Sequence, residues 1–319
     1  MQFKILLMLT NNNLIEVVSL GSACTSIEIN AIKDFLNKNN LRANIFLEDN
    51  TTIKNKNNHE FATINPKYRF QQFQSAWENS HSKIIWCSRG GYGSAEILEF
   101  LTSMPKPKIP KMFIGFSDIT SISIFLNQQF QIPTICAPML VQCAMDMVSP
   151  HSIQTILDVI SGKKNNFDYE LINLKNYNFN EIVGEIVGGC VSVIAGNFAT
   201  RNQIDWHQKI LFLEDEGEDG ERLDRYFQQI TSIIKESHRK PLAIILGNFT
   251  QDNNHGSPKA DNIKIAIDKF VEKTVDIPLF QEKSLCLGHS SEMMPIAIGV
   301  KAIINNNNKL QQSIANILN

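Results

Sequence analysis

Residues 83–94 read Lys-Ile-Ile-Trp-Cys-Ser-Arg-Gly-Gly-Tyr-Gly-Ser. A short, mostly apolar run, Lys83–Cys87, breaks into the glycine-rich turn Arg89–Ser94, after which Ile97, Leu98 and Leu101 follow at helical spacing. A strand that hands over to a helix in this way is half of a βαβ unit, and the pattern recurs on both sides. Upstream, Leu14–Leu20 reads as a strand, Ile27–Leu36 has helical spacing, and Ala43–Leu47 is a second strand. Phe70, Phe73 and Trp77 then share one face of a helix after Pro66. Downstream, Lys111–Gly115 is a strand, Ser117–Leu126 a helix and Ile132–Cys136 a further strand. This alternation predicts an α/β fold with a largely parallel sheet and functional loops at the carboxyl ends of its strands.

The polar, Asn-rich stretch after Gly162 reads as a linker over residues 164–180, dividing the chain into 1–163 and 181–319. The second unit has strand-like runs at Glu181–Gly189, Ile210–Glu214 and Leu242–Leu246, helices at Arg222–Ile234 and Ile263–Val271, and a last strand at Ile296–Ile304 before an Asn-rich tail. Two domains with a site in the cleft between them is the organisation expected of 319 residues.

Thirty basic and 32 acidic residues leave a net charge of −2, which excludes the strongly basic field of a dedicated nucleic-acid binder. The apolar patch near the N-terminus is shorter than a signal-peptide core, and no run reaches the ~18 apolar residues of a membrane span. Six dispersed cysteines without a CxxC pair fit reduced core residues, and with them a cytoplasmic location.

Four segments could carry chemistry. The Arg89–Ser94 turn lacks both GxxxxGK[ST] and GxGxxG, so it is either a tight turn or a pocket of backbone N–H groups for an anion. Ser117, in Gly115-Phe-Ser-Asp118, follows an apolar strand and opens a helix. That is the place of a nucleophile elbow, and equally of an ordinary helix cap. Glu214 directly continues the apolar run Ile210–Leu213 into five acids, which otherwise read as a solvated loop; their spacing is not that of an EF-hand, and no metal site is implied. His289, after Leu287-Gly288, is the histidine with an apolar approach. Ser117, Glu214 and His289 are the three chemical types of a hydrolytic triad, although order alone does not bring them together.

Jointly, Arg89-Gly-Gly-Tyr-Gly93, Gly115-Phe-Ser-Asp118, Pro138-Met139, Gly188-Gly189, Leu213-Glu-Asp215, Arg222 and Gly288-His289 resemble the LD-carboxypeptidases, a serine peptidase family, in order and spacing from about Leu14 to Ile304. The resemblance implies an N-terminal parallel-sheet domain with Ser117 as nucleophile and a smaller, β-rich α+β C-terminal domain with Glu214 as acid and His289 as base. It implies an oxyanion hole from the backbone N–H groups of Gly91 and Asp118, no cofactor, frequent homodimers, and hydrolysis of the L,D-amide to terminal D-alanine in murein tetrapeptide during cell-wall recycling. Arg89 and Arg222 are candidates for a substrate carboxylate, or alternatively for interdomain ion pairs. The chain departs from the family at Ser19-Leu-Gly-Ser-Ala23, Ala137 and Cys190, positions that bear on the pocket rather than on the triad. A branch resembling microcin-immunity proteins cleaves a peptidyl-nucleotide and is the alternative activity. A non-enzymatic binder of an anionic ligand is a more distant one.

Overall fold

The computed structural model describes residues 13–47, 65–250 and 260–315; the N-terminal apolar patch lies outside them. The first strand, β1 (Leu14–Val18), leads into α1 (Ser26–Lys38). Thr25 caps that helix, accepting from the Glu28 N–H while Glu28 accepts from the Thr25 N–H, a capping box that also fixes Glu28 near the β1 exit. Then come β2 (Ala43–Phe46), α2 (Pro66–Glu78), β3 (Ser82–Cys87), a 3₁₀ turn into α3 (Leu98–Leu101), and β4 (Met112–Ile114). A second 3₁₀ turn, Ser117–Ile119, opens α4 (Thr120–Phe125), which is followed by β5 (Thr134–Cys136), α5 (Leu140–Ala144) and α6 (Pro150–Ile160).

The five strands stand in the order β2-β1-β3-β4-β5, all parallel. Strands covered on both faces must be apolar throughout, and Ile84, Ile85, Trp86, Phe113 and Ile114 are all fully buried. The order reverses between β1 and β3, so the loops after these strands part and leave a crevice at their carboxyl ends.

The rest of the chain builds β6 (Asn166–Asn173), β7 (Glu181–Cys190), α7 (Val191–Gly196), β8 (Ile210–Glu216), α8 (Gly220–Ser237), β9 (Ala243–Thr250), α9 (Ala260–Lys273), β10 (Leu279–Glu282), β11 (Ile296–Ile298), β12 (Lys301–Asn305) and β13 (Lys309–Ser313). Seven of these strands close into a barrel in the order β10-β6-β13-β12-β7-β8-β9. The α/β domain and the β-rich domain expected from the sequence are therefore both present.

Three details differ from what the sequence predicts. The presumed linker contains β6, paired with β13 and β10. Phe167, Tyr169 and Leu171 are buried on alternate positions, with Asp168 and Glu170 facing out, a period of two hidden by polar flanks. The single strand expected at Ile296–Ile304 is two, broken at Gly299. Its first half, β11, joins the N-terminal sheet antiparallel to β5, and its second half, β12, returns to the barrel. The Asn-rich tail is a hairpin turn into β13, with Asn308 in the left-handed region.

At the end of β4 away from Ser117, Lys111 is buried and donates to the carbonyls of Asn79 and Ser82 and to the Ser82 hydroxyl. Burial lowers its pKa to about 8, against the pull of the buried Glu16 carboxylate. Lys111→Met removes the donor and strands its acceptors. It is expected to destabilise the fold by about 2–4 kcal/mol, read as a lower urea midpoint at unchanged slope, with the activity of the folded fraction retained.

Candidate active site

Ser117 lies just past β4, and its backbone adopts φ = +61°, a conformation that L-residues populate only when their surroundings enforce it. The cap position of the 3₁₀ turn falls on Phe116, with no side-chain capping hydrogen bond, so Ser117 is not an ordinary helix cap. The enforcing contacts come from its neighbours. Asp118 is buried; its carboxylate accepts the Ser94 N–H at 2.9 Å, and its carbonyl accepts the Ser94 hydroxyl at 2.5 Å. The turn after β4 is thereby tied to the turn after β3. Gly90 lies close to the serine from that second turn: a Cβ there would fall 3.0 Å from the Ser117 Cβ and 3.1 Å from its Oγ, so a side chain would push the serine by a few tenths of an ångström.

Glu214 is wholly buried at the end of β8, in register with Cys190 of β7. Its Oε2 accepts both from His289 Nδ1, at 2.5 Å, and from the His289 backbone N–H, at 3.1 Å. This approach requires Gly288, which has φ = +95° and whose Cβ would sit 2.6 Å from that same oxygen. Asn248 secures the loop from the other side, its side chain donating to the His289 carbonyl at 2.5 Å and its N–H to the Leu287 carbonyl at 2.8 Å. With Nδ1 engaged by a carboxylate, Nε2 is the nitrogen left for proton transfer. The Phe116 ring, adjacent to Ser117 in sequence, packs on the imidazole with centroids 4.7 Å apart.

Two further acids belong to this arrangement, although their acidic surroundings predict a solvated loop. Glu216 Oε2 stands 3.6 Å from His289 Nε2. A signal for it existed, since residues 214 and 216 share one face of a strand. Asp215 is buried and accepts from the Ser192 N–H at 2.7 Å and the Glu216 N–H at 2.8 Å; burial together with neighbouring Glu214 raises it to about 6. Burial alone would lower the pKa of His289, but the carboxylates of Glu214, Glu216 and Asp215 outweigh it and lift the ring to about 9.

Ser117 and His289 line one cavity of about 470 Å³ between the domains, together with Gly91, Asp118 and Arg89. Arg89 pairs with Glu28 at 2.9 Å, and its Nε is buried without a hydrogen-bond partner. Arg222 is elsewhere: it is half exposed, absent from the lining, and paired with Glu218 and Asp219 at 3.3 and 3.1 Å. Among the described residues no cluster of His, Cys, Asp and Glu has the arrangement of a metal site. All six cysteines are free and buried, and burial raises the thiol of Cys190, on the cavity wall, well above its ordinary value.

Residues 15–137 match the LD-carboxypeptidase N-terminal domain, and residues 183–304 match the LD-carboxypeptidase C-terminal domain. The chain belongs to the LD-carboxypeptidase family. A Rickettsia prowazekii protein named for carboxypeptidase activity is 28% identical, over 95% of this chain and 90% of its own. A murein tetrapeptide carboxypeptidase of Pseudomonas aeruginosa is 25% identical, over 75% of this chain and 78% of its own. Two solved structures share the fold. A muramoyltetrapeptide carboxypeptidase from Oxalobacter formigenes has a TM-score of 0.73 at 20% identity, covering 95% of this chain and 98% of that one. The microcin C7 self-immunity protein MccF has 0.72 at 18%, covering 98% of each. This LD-carboxypeptidase family member is thus a peptidase by family, with two matched domains and a cavity where they meet.

The raised value for His289 sets a pH dependence. The imidazolium persists up to about pH 9, so the neutral ring grows in only as pH rises toward that value. Glu216→Gln removes one of the charges that favour the proton. The His289 titration, followed by NMR of the ring protons, is expected to move down by about 0.5–1 unit; an unmoved titration would show that Glu216 exerts no field on Nε2.

Proposed function

We propose that the protein is a serine LD-carboxypeptidase that releases the terminal D-alanine of murein tetrapeptide. The observation that carries this reading is the buried Glu214–His289 pair on the same cavity as a serine held at positive φ. Ser117 Oγ attacks the carbonyl of the L,D-amide while His289 Nε2 takes its proton. Glu214 keeps the ring in the Nδ1–H tautomer and stabilises the imidazolium that forms. The N–H groups of Gly91 and Asp118 receive the oxyanion, each such donor contributing on the order of 10²–10³ in rate. Collapse of the tetrahedral intermediate breaks the C–N bond, and His289 returns the proton to the departing amine of D-alanine. Water, deprotonated in turn by His289, then hydrolyses the acyl-serine and restores the free hydroxyl.

Arg89 is the guanidinium on the cavity wall, and its fork suits the terminal carboxylate. Arg222 does not serve this role, because its guanidinium does not line the cavity. A peptidyl-nucleotide substrate would favour an aromatic platform for its base. Phe116 is the aromatic side chain among the described lining residues, and its ring is already packed at a tilt against His289, which favours the murein reading. The same reading carries a cytoplasmic homodimer, and light scattering of the purified protein tests the assembly.

Purified protein incubated with L-Ala-γ-D-Glu-diaminopimelate-D-Ala is expected to release D-alanine, detected by mass spectrometry. Ser117→Ala should lower the rate by at least about 10³-fold, and Glu214→Gln by about 10²–10⁴-fold. Full activity in folded Ser117→Ala would sink the proposal, as would absence of release by the wild type. Faster cleavage of an aminoacyl-nucleotide amide than of the tetrapeptide would shift the assignment to the microcin-type reaction.

A further inference from the structure

A fully buried arginine is costly unless its charge and its donors are all used. Arg69, on α2, is such a residue. Burial depresses its pKa, and the Glu96 carboxylate opposes that shift. It does not line the catalytic cavity; it holds the turn after β3, which does. Its Nη1 donates to the Leu20 carbonyl, in the loop after β1, and at 2.8 Å to the Gly93 carbonyl, in the turn after β3; its Nη2 pairs with Glu96 in the following 3₁₀ turn.

These anchor points are where the site's turns interlock. Gly93 precedes Ser94, whose N–H and hydroxyl hold Asp118. The Gly90 carbonyl accepts the Ser22 N–H at 2.9 Å, and the Ser22 hydroxyl accepts the Tyr92 N–H at 3.1 Å. Gly21 packs so closely that a Cβ there would lie 2.5 Å from the Gly90 carbonyl oxygen and 2.9 Å from Asp118 Oδ2. Three loops, after β1, β3 and β4, thus form one block around Gly91 and Ser117. Arg69 is the cation beneath that block, and its charge also favours the ionised form of Asp118, against burial.

We propose that Arg69 is a positioning residue: its guanidinium fork clamps the loops after β1 and β3, and through Ser94 and Asp118 it sets where the N–H groups of Gly91 and Asp118 point relative to Ser117. This rests on the serine-hydrolase reading of the site. Lysine keeps the charge but is a point donor without the planar fork that spans these acceptors. Because Arg69 does not face the cavity, its loss falls on the transition state and leaves ground-state binding alone.

The test is Arg69→Lys in the full chain, with kcat and KM for D-alanine release, the rate of Ser117 labelling by a fluorophosphonate, and thermal unfolding measured together. Expected are a kcat lower by about 10- to 100-fold, a KM within about threefold of wild type, and labelling slowed in parallel, in protein that still unfolds cooperatively. A kcat within twofold of wild type, or a loss confined to KM, overturns the proposal. If Arg69→Lys does not fold, Ser94→Ala removes the hydroxyl bond to the Asp118 carbonyl and should lower kcat by about 5- to 10-fold at unchanged KM. An unchanged kcat there overturns it as well. A wild type that is labelled at Ser117 but releases no D-alanine would sink the murein reading alone, and the labelling rates would still decide the role of Arg69. A wild type neither labelled nor active would overturn both.

Discussion

One carboxylate oxygen, Glu214 Oε2, organises the molecule. It accepts two hydrogen bonds from His289, one from the ring and one from the backbone, inside protein that excludes water. Removing one partner of such a buried pair typically costs about 3–5 kcal/mol, because the remaining charge is left uncompensated. That sensitivity explains the features around it. Gly288 has no side chain because one would collide with Glu214, and Asn248 ties down both Leu287 and His289. The His289 loop has no regular structure of its own, and its position comes from the strand ends it meets.

A second constraint follows. His289 is held by the barrel and Ser117 follows a strand of the parallel sheet, so the two share one cavity only if the domains keep their relative position. The chain achieves this by sharing. β11 leaves the C-terminal segment to complete the N-terminal sheet beside β5, and β12 returns at once to the barrel. Nearer the cavity, the Cys190 N–H donates to the Thr120 hydroxyl, linking the end of β7 to the first residue of the helix that follows Ser117. Phe116 adds a direct contact between the Ser117 turn and the imidazole. The buried core is correspondingly continuous from the parallel sheet into one side of the barrel.

Much of the fold could be read in residues 14–136 because apolar strands and amphipathic helices announce themselves by period and by glycine-rich breaks. Reading failed where the signal was short or diluted. In β6, five alternating residues are flanked by Asn and Lys, so composition outweighed period. At Gly299 an apolar run crosses from one sheet to another, and a sequence window does not register a change of partner. In the acidic stretch after Leu213, composition suggested solvent, whereas the strand continues through Glu216 and carries Asp215 into the interior.

Sequence by itself determined the family, the two-domain α/β organisation and the residue types at the site, because those depend on local patterns and on motif order. Which groups meet was decided only by the tertiary structure. It brought His289 onto Glu214 across a separation of 75 residues, set Glu216 opposite Nε2, buried Arg69 beneath the loops of the cavity and turned Arg222 toward its own helix terminus. The physical reason is that hydrogen bonding, burial and charge act through space over a few ångströms, and distance along the chain carries no information about them.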